Sequence, residues 1–170
     1  MRGRSEWAIV PFLSFSPIPI MAEPILKITR RRLPHWTLDG SVYFITFRVL
    51  EGEMKPSERT VALQHLKDGD GRFYTLFAAV VMPDHAHLLL RPQSGYSLPR
   101  IMKGTKGVSG YKINRLRKRR GMFWQDESFD RIVRDADEFE QKLNYIAQNP
   151  FRAGLCEEDE EYPWSYFRVD

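Results

Sequence analysis

The chain predicts an α+β fold, a ferredoxin-like βαββαβ sheet with its helices on one face, followed by one further C-terminal helix. Three observations carry that expectation. Strand and helix patterns succeed one another in this order along the chain. Two apolar, β-rich segments, 72–82 and 86–92, abut across Pro83-Asp84, a tight strand-to-strand connection. With 170 residues, 42% apolar and 13% aromatic, the chain has material for one core and one domain.

Residues 1–33 lack periodicity and end just after the basic run "KITRRR". They are expected to be a flexible extension, with the folded domain over 34–170. Arg2 and Arg4 ahead of an apolar stretch imitate a signal peptide, but Pro11, Pro17 and Pro19 break it. A floppy extension, or an upstream start with Met21 as the natural one, is the preferred reading.

The stretch "SVYFITFRVL" (41–50) mixes β-branched and aromatic residues and predicts the first strand. Pro56 and Ser57 open a helix pattern that the Gly-Asp-Gly turn at 69–71 closes. "RFYTLFAAVVM" (72–82) and "AHLLLRP" (86–92) predict strands two and three. "SLPRIMKGTKGVSGYKINRLRKR" predicts a basic helix weakened by Gly104, Gly107 and Gly110. "FDRIVRD" (129–135) predicts a short fourth strand. "DADEFEQKLNYIAQN" (135–149) predicts a strong helix with Asp135 as N-cap, acidic residues in its first turn and an end at Pro150.

Net charge is +4 but unevenly spread. Eight Lys/Arg lie between Lys103 and Arg120 without one acidic residue, whereas Glu157 to Glu161 reads "EEDEE". The single Cys156 excludes an internal disulfide framework and a cysteine-based zinc site, so a reducing cytoplasm is expected. No apolar run approaches a membrane span, and no motif points to a small-molecule cofactor.

His85 and His87 stand one residue apart in a segment otherwise suited to a core strand. Residues i and i+2 share a strand face, so both imidazoles leave the sheet on one side while Ala86 faces the other. On the last helix Tyr145 and Asn149 are four apart and share a face beside the apolar stripe of Phe139, Leu143 and Ile146. These residues suggest a divalent cation, Mg²⁺ or Mn²⁺, held by His85, His87 and Asn149, with Tyr145 beside it as nucleophile. Open positions on such an ion suit phosphate oxygens. A phenolate suits reversible strand transfer because it leaves more readily than an alkoxide.

Five blocks, "RRRLPHWTLDGSVYFITFRV", "VVMPDHAHLLLRP", "GMFWQDESFDRIVRD", "LNYIAQNPFRAGL" and "YPWSY", occur in that order from about Arg30 to Tyr166. Together they resemble the single-tyrosine HUH transposases, most closely the REP-associated tyrosine transposase branch. That resemblance implies metal-binding histidines at His85 and His87, the nucleophile at Tyr145 and the third ligand at Asn149. It further implies a metal-dependent endonuclease and strand transferase that cleaves single-stranded DNA near palindromic hairpins, leaving a 5′-phosphotyrosine and a free 3′-OH. The branch is expected to act as a monomer, whereas mobile relatives exchange the tyrosine helix between subunits. The founding motif carries a bulky apolar residue between its histidines; here it is Ala86, expected to change packing rather than ligation.

Plainer readings stand beside these. The histidines alone are compatible with a hydrogen-bonded core pair, Tyr145 with an ordinary amphipathic-helix residue, and Asn149 with a helix terminus, Gln148 being the fallback ligand. Lys103, Lys106, Lys112, Arg115, Arg117, Lys118, Arg119 and Arg120, with Tyr111 among them, suit a groove that tracks a DNA backbone, or a solvated helix face. Arg30, Arg31 and Arg32 are further DNA-contact candidates, and Phe123 and Trp124 suit either base stacking or the core. Two rival functions follow: a retired DNA- or RNA-binding module of the same fold, and a phosphoesterase that activates water at a metal.

Overall fold

The computed structural model describes residues 27–30, 34–37 and 40–169, the first two segments by their backbone. The elements are β1 (Lys27–Arg30), β2 (Pro34–Thr37), β3 (Tyr43–Val49), α1 (Pro56–Asp68), β4 (Tyr74–Val81), β5 (His85–Pro92), α2 (Leu98–Leu116), β6 (Trp124–Ile132), α3 (Ala136–Arg152) and β7 (Ser165–Phe167). β1 and β2 pair as an antiparallel ribbon that spans the boundary drawn at 33/34. The rest of the expected extension lies outside the described residues.

The main sheet has the order β6-β3-β5-β4-β7 and is antiparallel throughout. Its βαββαβ path is the expected one, with the first and third strands, β3 and β5, paired inside the sheet. Strand alternation divides the core. Ala86, Leu88 and Leu90 of β5 join Leu63, Leu66, Ile101 and Ile113 beneath α1 and α2. Leu89 points the other way, to Phe44, Val80 and Ile146 beneath α3. Each of these fully buried leucines contributes about 2 kcal/mol of apolar burial. The expected helices on one face are therefore α1 and α2, and α3 covers the opposite face alone.

Two local expectations need correction, the start of the fourth strand and the end of the last helix, and two further features extend the reading. The fourth strand starts at Trp124 rather than 129, because buried Trp124 pairs with Val49 and begins the ladder. Its charged residues hide a strand signal because β6 is an edge, where charge blunts further pairing. The helix around Gly104, Gly107 and Gly110 runs unbroken. At Gly110 an added Cβ would come within 3.1 Å of Phe123, so this glycine permits close packing of α2 on the segment before β6. Pro150 does not end α3. It forfeits one helical hydrogen bond, and the helix continues to Arg152 with Ala153 and Leu155 donating to the carbonyls of Asn149 and Pro150. The short β7 gave no strand pattern; Tyr162 and Trp164 anchor it through bonds to Val81 and Thr60.

Candidate active site

The site forms where β5 passes under α3. A tight connection at Pro83-Asp84 turns β4 into β5, closed by the Met82 amide donating to the His85 carbonyl at 2.8 Å. His85 and His87 then project from one face, as their spacing requires, while Ala86 is buried in the opposite core. Their cross-strand neighbours on β3 are Arg48 and Thr46 respectively.

Each ring is held at its outer nitrogen. Nδ1 of His85 lies 2.6 Å from Oδ1 of Asp84, whose other oxygen accepts from Arg48 at 2.9 Å. Nδ1 of His87 lies 2.7 Å from Oγ1 of Thr46. The two Nε2 atoms consequently face each other at 3.1 Å. Phe44 stacks on the His87 ring, with centroids 5.5 Å apart.

α3 closes the site from above. Asp135 caps it as expected, accepting from the Glu138 amide at 2.8 Å. The Glu138 carboxylate takes Arg131 of β6 and Arg134, which ties the start of the helix to the sheet edge. Ile146 is fully buried against the sheet and sets the rotation of the helix. Tyr145 then lies edge-on to His87, centroids 5.2 Å apart, and remains 38% exposed at the mouth. One turn on, the Asn149 amide reaches Nε2 of His87 at 3.3 Å. The fallback Gln148 is exposed and accepts from Arg152 instead. The structure thus brings together His85, His87, Tyr145 and Asn149.

Burial, with the charge of Arg48 adding to it, pushes His87 down to about 3, against the opposing pull of Asp84. His87 is therefore neutral at physiological pH, the form that ligates a metal. Partial burial works against the Asp84 carboxylate, but the bond from His85 and the nearby charge of Arg48 hold it below the usual carboxylate range.

The donor set fits a divalent cation. Two cis ligands about 2.1 Å from one ion stand about 3.0 Å apart, close to the 3.1 Å between the imidazole nitrogens. Asn149 presents Nδ2 to His87, and a half-turn of its amide presents Oδ1. Among the described residues no three His, Cys, Asp or Glu side chains cluster as a metal centre; besides His85, the side chain that reaches Nε2 of His87 is the Asn149 amide.

Sequence reasoning missed Asp84, Arg48 and Thr46 as parts of this site. Asp84 is adjacent to the motif and was legible as a partner for it; Arg48 and Thr46 depend on the β3–β5 register. Lys142, three residues before Tyr145, also approaches the site, with its ammonium 4.9 Å from the Phe44 ring.

The basic residues separate. Lys103, Lys106, Arg115, Lys118, Arg119 and Arg120 line a groove of about 1230 Å³ between α2 and β6, with Tyr111, which is 64% exposed. Lys112 does not line it. Nor does Arg117, which grips buried Glu58 at 2.8 Å and joins α2 to α1. Phe123 and Trp124 are core residues, and the Trp124 indole donates to Ser109. Arg31 and Arg32, with the side chain of Arg30, lie outside the described residues. Glu157 to Glu161 sit near β7, at the sheet edge opposite β6 and away from the groove. No helix of the described residues is long and apolar enough to cross a membrane.

Known proteins resemble this chain in sequence and in fold. A Haemophilus influenzae protein named as a REP-associated tyrosine transposase is 28% identical over 103 residues, 55% of this chain; the match spans 58% of that relative's length. A solved structure of a REP-associated tyrosine transposase bound to a REP hairpin matches with a TM-score of 0.63, covering 85% of this chain and 82% of that one. At 18% identity, that likeness is one of fold. Residues 47–149 match the family described as IS200-like transposases, a span that holds the histidine strand, the basic helix and both Tyr145 and Asn149; the chain belongs to that family.

Proposed function

We propose that the chain cuts and rejoins single-stranded DNA beside hairpins, with Tyr145 as the nucleophile. One observation carries the reading: Tyr145 lies against His87 at the mouth of a site where two imidazole nitrogens converge. The Tyr145 oxygen attacks the scissile phosphorus, a P–O bond to tyrosine forms, and the bond to the 3′ oxygen breaks. The phenolic proton is lost to solvent and the departing oxygen leaves as a 3′-OH. Attack by a 3′-OH reverses the step and frees the tyrosine.

His85, His87 and Asn149 are the residues that would hold Mg²⁺ or Mn²⁺. When bound, such an ion supplies charge stabilisation to the scissile phosphate. Phe44 packs against both His87 and Tyr145 and holds their rings in register. The groove between α2 and β6 opens on the other face of the sheet from the histidines, so DNA served by both passes around the β6 edge. Hairpin DNA as partner is supported by the structural relative, and the chain is proposed to act as a monomer.

The test is incubation with Mg²⁺ or Mn²⁺ and a labelled single-stranded hairpin, followed by denaturing electrophoresis. A denaturant-resistant protein–DNA adduct is expected, and its persistence in Tyr145→Phe would sink the nucleophile assignment. Cleavage without an adduct would favour attack by water, and binding without cleavage a binding module.

A further inference from the structure

We infer that the two histidines are deliberately unequal: Asp84, held by Arg48, locks His85 in one tautomer, whereas Thr46 lets His87 change tautomer when a cation enters. The inference rests on the metal reading above and extends it to residues that reading does not use.

The argument is one of donors and acceptors. An ionised carboxylate only accepts, so Oδ1 of Asp84 at 2.6 Å requires a proton on Nδ1 of His85. Neutral His85 then has a lone pair on Nε2. That lone pair faces Nε2 of His87 at 3.1 Å, and two lone pairs at this distance repel, so metal-free His87 carries its proton on Nε2 and donates, with the Asn149 amide, 3.3 Å away, turned to present Oδ1 to that N–H. Its Nδ1 must then accept, and the Thr46 hydroxyl at 2.7 Å donates to it.

A cation between the two Nε2 atoms needs a lone pair from each. His85 is already in that state. His87 must release its Nε2 proton to solvent and take one up at Nδ1, remaining neutral. A hydroxyl can both donate and accept, so rotation of Thr46 satisfies the new N–H without moving the ring. No carboxylate at this position could have served both states, and no aliphatic residue could have served either. Arg48 completes the set from directly across the ladder: it fixes the second oxygen of Asp84 and balances its charge. Asp84, Arg48 and Thr46 are thus positioning residues. Partners of this kind are typically worth about 10–100-fold in metal affinity.

Two measurements on the purified chain test this. Long-range ¹H–¹⁵N spectra of the imidazoles are expected to show His85 as the Nδ1–H tautomer with and without Mg²⁺. His87 should shift from Nε2–H to Nδ1–H as Mg²⁺ is added. Mn²⁺ affinity, from the free-ion electron paramagnetic resonance signal, is expected to fall about 10–100-fold in Asp84→Ala and about 10-fold in Thr46→Val. Thr46→Ser should keep it within about 3-fold, and thermal denaturation of each variant shows that it is folded. His85 found as Nε2–H in the metal-free protein, or unchanged His85 tautomer and Mn²⁺ affinity in Asp84→Ala, would overturn the inference. Mn²⁺ binding that survives His87→Ala would instead overturn the metal reading, and the metal-free spectra judge the Asp84 lock on their own.

Discussion

The two faces of the sheet are built from the same strands and do different work. Beneath α1 and α2, β5 presents Ala86, Leu88 and Leu90, all fully buried. Beneath α3, the same strand presents His85, His87 and Leu89. Polar groups occur on both sides, but they are arranged differently. On the two-helix side Glu58 closes on Arg117 and Ser109 on Trp124, each pair complete in itself. On the single-helix side, ring nitrogens from two residues converge on one point and leave room for a third party. Burial therefore does not mark the site, since His87 is as buried as much of the core; convergence does. A single covering helix also leaves an open mouth, where Tyr145 sits.

If the faces are separable, chemistry and stability should be damaged independently. Tyr145→Phe has the largest expected effect: nicking of a labelled hairpin falls by at least ~10³-fold, because no other side chain replaces a lost nucleophile. Its unfolding free energy in urea should stay within about 0.5 kcal/mol of the parent, since the hydroxyl lies at an exposed mouth. Leu88→Ala is the opposite case. It opens a cavity under α1 and α2 and should cost about 2–5 kcal/mol in the same titration. The nicking rate per folded molecule should be unchanged; a large drop there would show that the faces are coupled.

A smaller effect isolates the single-helix face by pH. His87 is pushed down to about 3 in the folded chain, against about 6.5 when unfolded. Between these values the unfolded chain binds more protons, so stability is full above pH 6.5 and is lost as pH falls toward 3. The expected loss between pH 7.5 and pH 5 is about 2 kcal/mol in metal-free protein. His65, half-buried and lowered mainly by desolvation, adds in the same direction. The difference between the parent and His87→Asn therefore reads the His87 share, and equal slopes in the two would contradict the burial assigned to it.

How far the sequence reveals this division depends on whether the cause is local. Face assignment along β5 needs only period-two alternation, so the opposition of His85 and His87 to Ala86 is legible. Tyr145 and Asn149 share a helix face by spacing alone, and Asp135 announces the helix start. That α3 covers the histidine face while α1 and α2 take the other follows from chain path, which no local pattern encodes. The roles of Thr46 and Arg48 depend on the β3–β5 register and were invisible for the same reason. Likewise Arg117 belongs to a run of eight basic residues of one appearance. Only the packing of α2 on α1 turns it inward to Glu58 while its neighbours line a groove.

That last distinction gives the smallest of the expected effects and the finest test of the comparison. Lys103 lines the groove, and Arg117 does not. A cation that neutralises a phosphate adds about one unit to the slope of log affinity against log salt. Lys103→Gln should therefore weaken hairpin binding several-fold near 0.15 M salt and flatten that slope by about 1, leaving the nicking rate of bound DNA and the unfolding free energy alone. Arg117→Gln should do the reverse. It strands the Glu58 carboxylate in a buried site, which costs about 3 kcal/mol in stability, and it leaves the salt slope unchanged. Fluorescence anisotropy of a labelled hairpin from 50 to 200 mM NaCl, beside urea denaturation of each variant, reads both quantities. Equal slopes for Lys103→Gln and the parent would remove DNA from the groove. A flattened slope in Arg117→Gln would mean that its bond to Glu58 opens on binding, and that the packing of α2 on α1 is not independent of DNA.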